Sequence, residues 1–240
     1  MLTVQKFGGT SVADGERLRH AAEIAADAYD RGWDVVVVLS AQGDTTDRLL
    51  EKAGEISRAP NGRELDMLLT TGEQVTVALM AMCLEEMGCP VVSLTGWQAG
   101  VETTDVHGDA RIVRVDTRRL RRHLGEGRIV IVAGFQGMDA AGDLTTLGRG
   151  GSDTTAVALA GALGADRCQI FTDVDGVYTK DPRKYTDAVK LDTLTYDRML
   201  AMAREGAQVL HDRCVELAKE YGIVIEVRSA FSDAPGTLVK

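Results

Sequence analysis

Twelve consecutive residues, Thr145-Thr146-Leu147-Gly148-Arg149-Gly150-Gly151-Ser152-Asp153-Thr154-Thr155-Ala156, combine three glycines, one guanidinium, one acid and a cluster of hydroxyls. Glycines at this density let the backbone come close to a ligand, because no Cβ stands in the way. Arg149 adds a planar fork suited to a carboxylate or a phosphate. The apolar run Val157 to Leu163 reads as a buried helix, with Ser152, Asp153 and Thr154 as N-cap candidates. Its first N–H groups would then face whatever occupies the loop, which is the chemistry of anion binding. A lone GxGG is equally at home in a turn leading into a capped helix.

A second candidate opens the chain. Leu2 to Phe7 alternates like a strand, breaks at Gly8-Gly9-Thr10-Ser11, and gives way to a helix from Asp14. Lys6 can extend over that glycine turn, whose N–H groups suit a phosphate. Neither GxxxxGK[ST] nor a strand-linked GxGxxG occurs, which argues against ordinary P-loop and dinucleotide folds. The Val run ending at Leu39 leads into Ser40-Ala41-Gln42-Gly43-Asp44-Thr45-Thr46, another hydroxyl-rich loop. Asp173 and Asp175 fit either a metal pair or a solvated turn, and His107 in the turn His107-Gly108 has no evident partner, so a loop role is expected for it.

The positioning elements follow from periodicity. Strands are expected at Val35–Leu39, Val91–Leu94, Val101–Thr104, Arg111–Val115, Arg128–Val132, Arg167–Phe171 and Ile223–Val227, with Thr237–Val239 as a possible edge. Helices are expected at about 47–57, 64–70, 73–87, 196–204 and 207–220, with Thr71-Gly72 separating the second and third. Val75, Val77, Leu79, Met82 and Cys83 are expected to fill the core, and Arg118, Arg119, Arg121 and Arg122 to form a solvated face. Near-regular alternation of strand and helix predicts an α/β fold, a three-layer αβα sandwich with a mainly parallel sheet. A boundary near Gly125 to Arg128 divides it into lobes 1–126 and 127–240.

The 240 residues are 45% hydrophobic and 26% charged, with a formal charge of -9. That balance argues against non-specific binding to nucleic acid or an anionic membrane, and leaves ATP possible. Four cysteines without CxxC spacing, and no basic-then-apolar leader before Lys6, lead us to expect a cytoplasmic protein with reduced thiols.

Taken in order, several blocks resemble the aspartokinases of the amino-acid kinase family: Lys6-Phe7-Gly8-Gly9-Thr10-Ser11, Leu65-Asp66-Met67-Leu68-Leu69-Thr70-Thr71-Gly72-Glu73, Ala133-Gly134-Phe135-Gln136-Gly137, the LGRGGSDTTA segment, Thr172 to Arg183, and Pro235-Gly236-Thr237-Leu238-Val239. The resemblance implies phosphorylation of the β-carboxylate of L-aspartate by MgATP. It implies roles for Lys6, Arg149 and Asp153 in catalysis. Around the nucleotide it places Lys6, Phe7, Gly8, Gly9, Thr172, Asp173, Tyr178, Lys180, Arg183, Gln208 and Val209. Around the amino acid it places Ser40, Thr45, Thr46, Glu73, Arg149, Gly150, Gly151 and Ser152, with no protein metal ligand assigned. Lobe 1–126 would hold the amino acid and lobe 127–240 the nucleotide, in a homo-oligomer.

The chain departs from the family in two respects. Aspartokinases usually continue into regulatory ACT domains, which this sequence lacks, so feedback inhibition by that route is not expected. Gln208 stands where the family commonly has Lys, and losing one preorganised cation can cost on the order of 10²-fold in rate. The alternatives are a kinase of the same fold acting on another carboxylate, or a weakly active assembly subunit.

Overall fold

Apolar strands covered on both faces and helices with one apolar stripe generate the architecture. The computed structural model describes residues 1–180, 182, 184–205 and 209–240. The chain runs β1 (Leu2–Phe7), α1 (Gly15–Asp30), β2 (Asp34–Leu39), α2 (Thr45–Ile56), α3 (Gly62–Leu69), α4 (Thr71–Glu86) and β3 (Val91–Leu94). It continues through β4 (Val101–Thr103), β5 (Ile112–Val115), α5 (Arg118–Gly125), β6 (Ile129–Ala133), β7 (Gln136–Met138), β8 (Leu144–Thr146), α6 (Gly151–Leu163) and β9 (Arg167–Thr172). The last part holds β10 (Val177–Tyr178), β11 (Lys190–Leu191), β12 (Thr193–Leu194), α7 (Tyr196–Arg204), α8 (Asp212–Tyr221), β13 (Ile225–Ser229) and β14 (Thr237–Val239).

Eight strands form the main sheet in the order β12-β14-β13-β9-β1-β2-β6-β3, parallel throughout except where β13 meets β14. Val35, Val37 and Leu39 point to one face with Phe7, packing under α1 and α4. Val36 and Val38 point to the other with Val4, packing under α5, α6 and α8. This is the expected three-layer αβα sandwich. Each fully buried Val, Leu or Ile contributes roughly 1.5–3 kcal/mol, so the valines of β2 alone are a substantial anchor. A smaller mixed sheet, β5-β4-β7-β8, stands beside it, and β10 with β11 forms a ribbon.

Four expectations are corrected. Thr237–Val239 is not an edge, because β12 pairs beyond it. The junction between the two expected helices is not Thr71-Gly72: α3 ends at Leu69 and α4 starts at Thr71, and Thr70 between them keeps a right-handed helical backbone, so Gly62–Glu86 runs on as 25 residues. That run is long and apolar enough to cross a membrane, but half of its most apolar window is buried in this fold, as in a core helix. Val75, Leu79 and Met82 are exposed on it, because the sheet covers only the face bearing Val77, Met80 and Leu84. Helix α8 starts at Asp212 rather than near Ala207, of which only Val209 to His211 among the intervening residues is described.

Some arginines of α5 do more than meet solvent. Arg121 donates from Nη2 to the carbonyls of Ala162 (3.3 Å) and Leu163 (3.1 Å), closing the C-terminus of α6. All four cysteines are free and buried.

Candidate active site at the strand ends

Parallel pairing aligns the carboxyl ends of β9, β1 and β2: Phe7 sits opposite Leu39 on one side and Phe171 on the other. In open α/β sheets this is where ligands bind. The glycine turn after β1 meets the loop after β2, with Gly43 N donating to Gly9 O at 3.0 Å. A Cβ on Gly9 would lie 2.7 Å from the Ala41 carbonyl oxygen, so no larger residue fits there.

Lys6 faces the opening of α6, where its Nζ lies 2.5 Å from Asp153 Oδ1, both side chains being 12% exposed. Gly150 precedes the helix with φ 68, and a Cβ there would run into the His211 ring. The helix is not capped by Ser152, Asp153 or Thr154 as the sequence suggests. Gly150 takes the cap position without a side-chain bond, and the three residues fall inside the first turn. Thr154 Oγ instead bonds back to Gly150 O at 3.1 Å, while Asp153 is committed to Lys6. An acid in a helix's first turn also complements the macrodipole.

These elements enclose a cleft of about 300 Å³. It is lined by nine of the residues singled out from sequence: Lys6, Gly9, Ser40, Thr46, Glu73, Gly150, Gly151, Ser152 and Asp153. Glu73 is 3% exposed, and its Oε1 accepts from Ala41 N at 3.0 Å. Burial pushes its pKa up to about 7, and its Oε2 has no partner among the described residues. Phe135, which sequence reasoning left without a role, also lines the cleft with φ 68, a left-handed backbone held by Thr155 Oγ (3.1 Å from Phe135 N) and Leu147 N (2.9 Å from Phe135 O). Strained backbone of this kind clusters at functional sites.

Other expected residues stand outside that lining. Thr45 Oγ donates to Gln42 O at 2.6 Å and is spent on the turn into α2. Arg149 is exposed and has no ion pair among the described residues. Gly8 and Phe7 continue β1 into the turn, and Thr172 and Asp173 emerge next to them from β9. Tyr178 OH donates to Asp175 Oδ1 at 2.8 Å, and Lys190 Nζ reaches Asp175 Oδ2 at 3.1 Å. Asp175 thus locks a turn. Lys180 pairs with Asp187 at 2.6 Å on the surface, and Val209 packs against the core. Arg183 and Gln208 lie outside the described residues.

A supporting layer went unread in the sequence. Asp66 accepts from His107 Nδ1 (3.0 Å), Gly108 N (3.1 Å), Thr146 N (3.1 Å) and Thr146 Oγ (2.6 Å). His107 therefore has a partner, contrary to expectation. Arg213 Nη2 pairs with Asp109 Oδ1 at 2.7 Å and its Nη1 donates to Leu147 O at 3.2 Å. Together they clamp the strand and loop leading to Gly148–Gly151. The signal was available: an acid inside the apolar helical stretch Leu65-Asp66-Met67-Leu68-Leu69 must be either exposed or bonded.

A glycine-lined cleft at parallel strand ends, with a lysine–aspartate pair and a buried glutamate, fits a phosphate-handling α/β protein. Residues 1–229 match the amino acid kinase family, and the chain belongs to it. It is 57% identical over 239 residues to the aspartokinase of Geobacillus stearothermophilus, covering 100% of this chain and 59% of that protein. The aspartate kinase of Synechocystis superposes with a TM-score of 0.89 at 48% identity, over 100% of this chain and 39% of that one. Aspartokinase III of E. coli, solved in complex with aspartate and ADP, superposes with a TM-score of 0.87 at 30% identity, over 100% and 64% respectively. The chain thus spans about three-fifths of the length of the curated relatives it matches.

Proposed function

We propose that the chain is the catalytic unit of an aspartate kinase, converting L-aspartate and ATP to 4-phospho-L-aspartate and ADP, the entry to lysine, threonine and methionine synthesis. The observation that carries this is that one cleft is lined both by Lys6, held by Asp153, and by Glu73, whose carboxyl is half-satisfied. Similarity to the aspartokinases supports the substrate.

MgATP, when bound, supplies the transferable phosphoryl group. The glycine turn after β1 fits its phosphates, since the Gly9 position has no room for a side chain and leaves backbone N–H groups as the donors. No three His, Cys, Asp or Glu side chains converge among the described residues, so Mg²⁺ would be held chiefly by phosphate oxygens, with Asp153 accepting from its waters. Lys6 puts its ammonium where negative charge builds up, and Asp153 fixes its position. Ionised Glu73 receives the substrate ammonium, Arg149 the α-carboxylate, and Ser40, Thr46 and Ser152 orient the molecule.

The substrate's β-carboxylate is already ionised at neutral pH, so no general base is needed. Its oxygen forms the new P–O bond as the bond to ADP breaks. The work is orientation and charge neutralisation. Thr172, Asp173, Tyr178 and Val209 would border the nucleotide in residues 127–240, and residues 1–126 supply most of the amino-acid pocket. A cytoplasmic homo-oligomer is part of this reading, with the exposed stripe Val75, Leu79 and Met82 available for contact between copies.

The test is ADP release with MgATP and L-aspartate, the acyl phosphate being trapped by hydroxylamine. We expect aspartate-dependent hydroxamate that falls by about 10²-fold or more in Lys6→Ala. Turnover with a different carboxylate and none with aspartate would redirect the assignment, and ATP binding without turnover on any carboxylate would overturn it.

A further inference from the structure

The opposite face of the sheet holds a second cavity. Successive side chains of a strand point to opposite sides, so Gln5 looks away from the Lys6–Asp153 cleft and toward α1. There, a cavity of about 320 Å³ lies between α1 and the segment after β13, floored by β1, β9 and β13.

A chain of bonds sets the amide orientations on that floor. Gln169 Nε2 donates to the Glu226 carboxylate at 2.8 Å, so Gln169 Oε1 must be the acceptor. It accepts from Gln5 Nε2 at 3.2 Å and from Thr3 Oγ at 3.4 Å. Gln5 Oε1 is thereby left as an acceptor without a partner among the described residues, on a residue that lines the cavity and is only 2% exposed. A buried acceptor in that state calls for a donor.

The walls supply complementary features. The Arg167 guanidinium lies over the Trp33 ring at 5.9 Å, and that of Arg228 over Phe171 at 5.9 Å. Stacking leaves the N–H edge of a guanidinium free to meet a carboxylate. Glu226 takes part of that capacity, 3.4 Å from Arg167 and 3.9 Å from Arg228. Three arginines in the lining are offset by Asp27 and Asp233, with Glu226 beneath. A nearly balanced lining suits a zwitterion better than a doubly charged phosphate.

We infer that this cavity is a second small-molecule site, for a free amino acid with an apolar side chain. Its ammonium donates to Gln5 Oε1, its carboxylate meets Arg228, and its side chain lies on Trp33. The inference does not depend on the reaction proposed for the front cleft.

Of the two tryptophans, Trp33 lines the cavity and Trp97 does not, so a fluorescence change lost with Trp33 reports on the site. L-leucine, L-methionine and L-phenylalanine would each be titrated into the intact chain, followed by fluorescence and by calorimetry. We expect saturable binding of one molecule per chain for at least one of them, weakened about tenfold or more by Arg228→Met. Arg167→Met, on a different strand, gives the same readout should Arg228→Met fail to fold. Trp33→Phe should remove the fluorescence change while heat remains, and Glu73→Gln in the front cleft should leave binding intact. No saturable signal for any of the three would overturn the inference. So would binding that both arginine variants leave unchanged, or displacement by inorganic phosphate alone.

Discussion

Two buried carboxylates sit two turns apart on the same helical run and live in opposite surroundings. Asp66, 1% exposed, accepts four hydrogen bonds, two of them from Thr146 at the end of β8. Glu73, 3% exposed, accepts from Ala41 N with one oxygen and has no partner for the other among the described residues. Both are as deeply enclosed as core residues, so burial does not distinguish them. Satisfaction does. A carboxylate with both oxygens engaged acts as a bracket, whereas one left half-engaged in a cleft retains attraction for a ligand's donor.

Breaking the bracket should have the largest effect. Asp66→Ala strands four donors, and we expect about 3–5 kcal/mol of lost stability in urea denaturation. A loss under about 1 kcal/mol would erase the contrast between the two acids.

Glu73→Gln sharpens it from the other side. Glutamine can still accept from Ala41 N, but the variant cannot ionise. We expect the KM for aspartate to rise about tenfold or more while kcat changes less, since a binding contact rather than a reacting group is removed. The folded pKa of Glu73, about 7, is raised above the ordinary 4.5 by burial. Its favourable contribution in the ligand-free protein is therefore fully present below about pH 4.5 and lost as pH rises through about 7. The variant should escape that loss, which is on the order of 3 kcal/mol at most. With substrate the proposed function reverses the sign: ionised Glu73 would pair with the ammonium, so wild-type KM should fall as pH rises through about 7 and the variant's should not. Equal pH profiles would detach Glu73 from the substrate.

The smallest change is His107→Ala. It removes one of four bonds to Asp66 and leaves the three from Gly108 and Thr146. About 1–2 kcal/mol of stability should go, with substrate KM close to unchanged. A KM shift as large as that of Glu73→Gln would mean that the bracket and the cleft act as one unit.

Much of this was legible in the residues. The Val run of β2, the helical stripe of α1 and the glycine turns all report local physics that the tertiary fold does not override. Lys6 and Asp153 could be nominated by type, and the family resemblance sets Asp153 to orient Lys6 or the metal shell, but the pairing itself is a long-range event made by the β1–α6 packing. Helix caps were misread for a related reason. Ser152, Asp153 and Thr154 have capping chemistry, but a left-handed Gly150 takes the cap two residues before Ser152 and frees the acid for the lysine. Met82 and Val75 misled because α4 is apolar around its whole circumference, so periodicity cannot say which side the sheet will take. Asp66 and His107 lie far apart in sequence, and nothing local announces that they meet.

Strand β1 has a consequence for how this protein can vary. Gln5 and Lys6 are chain neighbours, yet one faces the α1 side of the sheet and the other the α6 side. The strand is thus a partition one backbone thick, with a separate chemistry on each side. Substitutions at even and odd positions can be accepted or rejected independently, so the two faces are free to diverge. Inserting or deleting a single residue is different, because it would exchange the faces at once and bring the amide to the α6 side and the ammonium to the other. The length of this strand is therefore fixed more tightly than any one of its side chains.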